Sequence, residues 1–110
     1  MREVDGILEV DFQEVKSGVA DGTMLLVDVR EPHEYAAGHI PGAVLFPLSD
    51  FDPMRLPEVA PGQSLVFSCR TGGRTLRAIA ASQAAGLPLR THYKGSITDW
   101  IARGGAIQTA

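Results

Sequence analysis

The chain is poor in cysteine, in net positive charge and in long apolar runs, and each shortage excludes something. One cysteine in 110 residues allows neither an intrachain disulfide nor a multi-thiolate zinc site. A formal net charge of −3 speaks against general nucleic-acid binding, which draws on a basic surface. No stretch reaches the ~18 apolar residues of a membrane span. The opening MREVDGILEV lacks the basic and then apolar regions of an export signal. The expectation is a cytoplasmic protein with neither a membrane nor a nucleic acid as partner. Internal repeats, low-complexity tracts and linkers are missing too, so residues 1–110 read as one domain, long enough to close a single core.

What is present is an alternation of short apolar runs and helical patterns. GILEV, TMLLVDV, AVLFP, SLVFSC and RTHYK read as strands, and TMLLVDV is apolar without a break, as in a strand buried on both faces. Between them lie helical patterns. DFQEVKSG starts at Asp11, which with Glu14 has capping-box spacing, and Phe12 and Val15 would face the core. Pro32 suits a first helical turn and Gly38 its stop. LSDFDPMRLPEV is a weak helical turn broken by prolines. RTLRAIAASQAAG is the clearest helix, with Leu76, Ile79 and Ala80 on its inner face and Gly86 as its stop. SITDWIARGG closes the chain with Ile97, Trp100 and Ile101 at i, i+3 and i+4. Strand–helix alternation with short connections predicts an α/β fold, a mainly parallel sheet with helices on both faces. Such sheets bind ligands beyond the carboxyl ends of their strands.

The only thiol lies at such an end, in VFSCRTGGRT, residues 66–75. The segment joins the best strand to the best helix. A helix start offers unpaired N–H groups and the positive end of a dipole, and Gly72 and Gly73 let the backbone curl so that successive N–H groups point inward. The anion held there is either the sulfur or a bound oxyanion. A free thiol, with a pKa of about 8.5, is only a few per cent thiolate at neutral pH. Making it about 90% thiolate needs a shift of about 2.5 units, or ~3.4 kcal/mol. A helix dipole supplies about 0.3–1 kcal/mol, ~2 at most, so N–H bonds to sulfur and the charges of Arg70 and Arg74 must add the rest. The alternative is a small buried hydrophobe, the ordinary role of a free cysteine. A nucleotide P-loop is disfavoured, since Gly-Lys-Ser/Thr is missing after the glycines.

CRTGGRT resembles the active-site loop of rhodanese-family sulfurtransferases. Upstream, LLVDVREPHEYAAGHIPGAVLFPL resembles the Asp-x-Arg, Glu-Tyr and Gly-His-Ile-Pro-Gly-Ala pattern of that family, and YKGSITDWIARGG is similar to its closing turn and Trp-bearing helix. The chain departs from many members at Lys94-Gly95, where they carry Gly-Gly, and at Ala106, near which they carry a proline. The resemblance implies a rhodanese-like α/β fold, a five-stranded, mainly parallel sheet flanked by helices on both faces. It also implies a thiosulfate sulfurtransferase-like enzyme acting through a persulfide on Cys69. Loop length points the same way: Cys69 to Arg74 is Cys-x4-Arg, whereas the related phosphatases of the fold use Cys-x5-Arg.

The roles expected are these. Cys69 is the nucleophile, and no metal and no cofactor are needed beyond the covalent persulfide. Residues Arg70, Thr71, Gly72, Gly73, Arg74 and Thr75 form the substrate-binding and sulfur-stabilising loop. Arg70 faces the opening and attracts an anionic donor such as thiosulfate, Arg74 requires an anionic partner, and the hydroxyls of Thr71 and Thr75 add bonds to the sulfur. By resemblance, Asp28 and Arg30 frame the site through ion pairs, with Glu34 in a similar role. The acceptor is a thiol or cyanide, since no second cysteine can release the sulfur internally. The alternatives are a regulatory or carrier module loaded by a partner sulfur-transfer protein, and, less favoured, a cysteine-dependent phosphatase. His39 is expected to stabilise its turn, Tyr93 and Trp100 to pack in the core, and Met24 and Met54 to pack likewise.

Overall fold

A computed structural model describes residues 1–109. It contains six strands, β1 (Arg2–Val4), β2 (Ile7–Val10), β3 (Met24–Asp28), β4 (Val44–Leu45), β5 (Ser64–Ser68) and β6 (Thr91–Tyr93). Four helices accompany them, α1 (Phe12–Asp21), α2 (Pro32–Ala37), α3 (Gly73–Ala84) and α4 (Ser96–Ala102). The proline-broken segment after β4 forms two short 3-10 turns, Leu48–Asp50 and Pro53–Arg55. No helix among the described residues is long and apolar enough to cross a membrane.

The strands form one sheet in the order β1-β2-β6-β5-β3-β4. All neighbours are parallel except β1, which pairs antiparallel with β2. The expected five strands are therefore six. The extra one belongs to a two-residue hairpin whose central residues, Asp5 and Gly6, have φ of 51° and 82°, while Val4 pairs with Ile7. Asp-Gly is the strongest short hairpin signal. It is easily passed over here because Arg2 and Glu3 make the outer strand polar and exposed, as suits a sheet edge.

Side chains alternate across the central strands and build two cores. Leu26 and Val66 meet Val15, Ile97 and Trp100 on one face. Val27, Leu65 and Phe67 meet Ala78, Ile79 and Cys69 on the other. Helix α1 begins as its sequence dictates: Asp11 accepts from the Glu14 N–H at 2.9 Å, and Glu14 accepts from the Asp11 N–H at 3.1 Å.

Helix α3 is rotated from its expected orientation. Its buried residues are Thr75, Ala78, Ile79 and Ser82; Leu76 is 47% exposed, and Ala80 is exposed. The loop preceding the helix fixes its rotation, and two hydroxyls tolerate burial because each is bonded. Ser82 donates to the Ala78 carbonyl at 2.8 Å, and Thr75 donates to the Gly72 carbonyl at 2.8 Å. In α4, Ile97 and Trp100 are buried, but Ile101 is 56% exposed. Met54 is also exposed rather than packed.

Candidate active site

Cys69 follows the last residue of β5, between β3 and β6, at the carboxyl end of the sheet. It is a free thiol, 1% exposed. The loop curls over it as Gly72 adopts φ 99°, a value that L-residues avoid. The Gly72 N–H then donates to Sγ at 3.1 Å. A Cβ at Gly72 would fall inside 3.0 Å of the Lys94 carbonyl oxygen, so β6's exit also demands a bare backbone here. Gly73 is different. It has ordinary φ, and open space surrounds its missing Cβ, so only one of the two glycines is required by geometry.

Opposing effects act on the thiol. Burial raises its pKa. The backbone N–H groups of Thr75, Gly72 and Thr71, with the Ser96 hydroxyl, lower it, and the net result lies below the ordinary thiol value. Of these backbone groups, only the Gly72 N–H makes a well-directed hydrogen bond to sulfur. Cys69 thus departs from the inert buried cysteine, whose pKa rises in apolar surroundings.

The Thr75 hydroxyl does not reach the sulfur, contrary to expectation. Its one proton goes to the Gly72 carbonyl, and its oxygen lies 2.6 Å from His92 Nδ1. The chain His92–Thr75–Gly72 thereby holds the loop from behind. His92 Nε2 is left without a hydrogen bond, 3.9 Å from Glu9, and desolvation keeps the imidazole below its usual pKa.

The two loop arginines are used differently. Arg74 forms a two-pronged ion pair with Glu34 of α2, Nη1 to Oε1 at 2.7 Å and Nη2 to Oε2 at 2.9 Å. The Arg74 hydrogen bonds, outweighing partial burial, bring the Glu34 carboxyl down to about 2. Arg70 is exposed and stands in a cleft with Arg30, Glu34, Ile97, Ile101 and Ile107. Thr71 is exposed at the loop's tip and lines a neighbouring cleft with Lys94 and Gly95.

Asp28 and Arg30 are buried and pair with each other, Arg30 Nη2 to Asp28 Oδ2 at 2.8 Å. The same Nη2 donates to the Gly38 carbonyl at 2.8 Å, tying the end of β3 to the end of α2. His39 Nδ1 lies 2.9 Å from the Tyr35 carbonyl oxygen, within the same turn. Among the described residues no cluster of three His, Cys, Asp or Glu side chains could hold a metal.

The sequence reading missed Ser96. It is fully buried with φ 54°, and its Oγ accepts from the Cys69 N–H at 3.0 Å. No nearby residue type announces this, because a serine before a helix reads as an N-cap.

Comparison with known proteins agrees with this architecture. A model of the rhodanese-like domain matches residues 11–103. The Homo sapiens thiosulfate:glutathione sulfurtransferase is 32% identical over 89% of this chain and 96% of that protein. A sulfurtransferase of Allochromatium vinosum is 33% identical over 87% of this chain and 90% of that protein. The solved structure of a human single-domain sulfurtransferase superposes with a TM-score of 0.73 at 30% identity, covering 91% of this chain and 100% of that one.

Proposed function

The chain belongs to the rhodanese-like domain family, and on that premise we propose that it is a sulfurtransferase working through a Cys69 persulfide. The donor is thiosulfate or a related anionic sulfane compound. The Cys69 thiolate attacks the outer sulfur, the S–S bond breaks, and sulfite leaves with the electron pair. The acceptor, a thiol or cyanide, then attacks the terminal sulfur of the persulfide, and the bonding pair returns to Sγ as the thiolate. The two-electron oxidation of the acceptor is matched by the reduction of thiosulfate to sulfite, so no outside oxidant, reductant or redox cofactor is required. Sulfite is a stable leaving group, so the donor step needs no general acid, and a thiolate needs no general base.

The observation that carries this reading is the sulfur's setting. The protein's one thiol is enclosed by N–H donors that favour its anion. The phosphatase alternative is weakened by Arg74. Two of its five N–H donors are committed to Glu34, which leaves fewer for a bound phosphate. Arg70 remains to draw in an anion. The exposed Ile101 and Ile107 beside it favour a second form of the same activity, in which a partner sulfur-transfer protein rests its apolar surface there and loads Cys69 directly.

Thiocyanate formation from thiosulfate and cyanide tests the proposal. Saturable turnover that vanishes in Cys69→Ser is expected. Turnover surviving in Cys69→Ser would overturn it, as would an inactive wild type that protein persulfides also fail to load.

A further inference from the structure

The sulfur rests on α4 as well as under its own loop. The first three residues of α4 grip, in succession, the two residues that follow β5. Ser96 Oγ accepts from the Cys69 N–H at 3.0 Å, the Ile97 N–H donates to the Cys69 carbonyl at 3.2 Å, and the Thr98 N–H donates to the Arg70 carbonyl at 3.2 Å. Ser96 also lies 3.8 Å from Sγ and donates to the Tyr93 carbonyl at 2.8 Å. It holds these contacts at φ 54°, one of two non-glycine residues with positive φ among the described residues. The other, Asp5, sits in the β1–β2 hairpin, where the turn requires it. A left-handed serine in a fully buried site is strain held in place by its surroundings.

We propose that Ser96 is a positioning residue for sulfur transfer, whose single hydroxyl proton alternates between the Tyr93 carbonyl and the Cys69 sulfur as the charge on that sulfur changes. A hydroxyl has one proton to give. Beside a neutral sulfur, the carbonyl at 2.8 Å takes it. Beside a thiolate, the charge-assisted bond is the stronger one, and the proton turns to Sγ. On persulfide formation the negative charge moves to the terminal sulfur, and the hydroxyl returns to Tyr93. When the acceptor takes the terminal sulfur, the electron pair comes back to Sγ and the proton meets it there. This deepens the sulfurtransferase reading and rests on it for the catalytic cycle, but its first test does not need a donor.

The test compares Ser96→Gly and Ser96→Ala by the pH dependence of Cys69 alkylation with iodoacetamide, alongside urea unfolding. Neither variant alters the charges on the elements around the sulfur: Arg70 and Arg74, Asp28 and Arg30, Glu34, His92 with Glu9 and Lys94, and Asp99. Both variants lose the hydroxyl. Only glycine accepts the positive φ, so Ser96→Gly remains folded even if Ser96→Ala does not. Below the titration midpoint, alkylation of Ser96→Gly should slow about 3–10-fold, the worth of one hydrogen bond to the anion, with the midpoint displaced upward. A folded Ser96→Gly with an unmoved midpoint would overturn the proposal and leave Ser96 as packing. Alkylation does not depend on thiosulfate, so a failed sulfur-transfer reading and a failed Ser96 assignment give different results.

Discussion

Replacing each glycine of the loop by alanine separates two residues that the sequence presents as equivalent. At Gly72, φ is 99°, and a side chain there costs about 1–2 kcal/mol in backbone strain alone. The added Cβ would also fall inside 3.0 Å of the Lys94 carbonyl oxygen. Backbone cannot swing aside as a flexible side chain can, so overpacking adds about 1–3 kcal/mol. Gly72→Ala should therefore lose about 2–5 kcal/mol of stability. Any shift that relieves the clash also pulls the Gly72 N–H away from Sγ, now 3.1 Å distant, and the thiol pKa should rise. Gly73→Ala meets nothing within 4 Å and needs no unusual φ. It should be neutral or stabilising by about 0.4–1 kcal/mol, through a less flexible unfolded chain. Urea unfolding gives the stabilities and pH-dependent alkylation gives the thiol. Equal losses at the two positions, or a Gly72→Ala protein with native stability and an unchanged thiol, would refute the loop geometry argued here.

Three further outcomes follow from the same contacts. Glu34→Gln should cost about 1–3 kcal/mol, between an exposed and a buried ion pair. Because Glu34 titrates at about 2 when folded and near 4.3 unfolded, its contribution is full above the unfolded value and fades as pH falls toward the folded one; acid unfolding of Glu34→Gln should lack that part of the decline. In α3, Ile79→Ala should cost about 2–5 kcal/mol, whereas Leu76→Ser, at an exposed position, should stay within about 0.5 kcal/mol of wild type; urea unfolding reads both, and the reverse order would restore the expected helix face. The Cys69 thiol, depressed on folding, adds stability that is full above the unfolded thiol value and is lost as pH falls through the folded one, so the wild type's advantage over Cys69→Ser should grow with rising pH; an advantage that shrinks would mean burial had won.

Much of the architecture can be read from pattern. MLLV and LVF are unbroken apolar runs because both lie inside a parallel sheet, and Cys69 falls at a strand's carboxyl end by chain order alone. What pattern could not supply was rotation and partnership. Leu76 outranks Thr75 as a core residue on any hydropathy scale, yet the loop turns Thr75 inward, where Gly72 and His92 satisfy its hydroxyl. Arg74 required an anion, but α2 lies 40 residues earlier in the chain, so Glu34 becomes its partner only through the fold. Ser96 was invisible for the same reason: its contact with Cys69 spans 27 residues. Asp5-Gly6 is the opposite case, a local signal sufficient to place β1 and overlooked because that strand is polar.

The central claim is that Cys69 carries sulfur, and intact mass after incubation with thiosulfate tests it most directly. The wild type should gain one sulfur atom, cyanide should remove it, and Cys69→Ser should gain none. A wild type whose Cys69 alkylates readily below the ordinary thiol range, yet gains no sulfur from thiosulfate or from a protein persulfide, would contradict it.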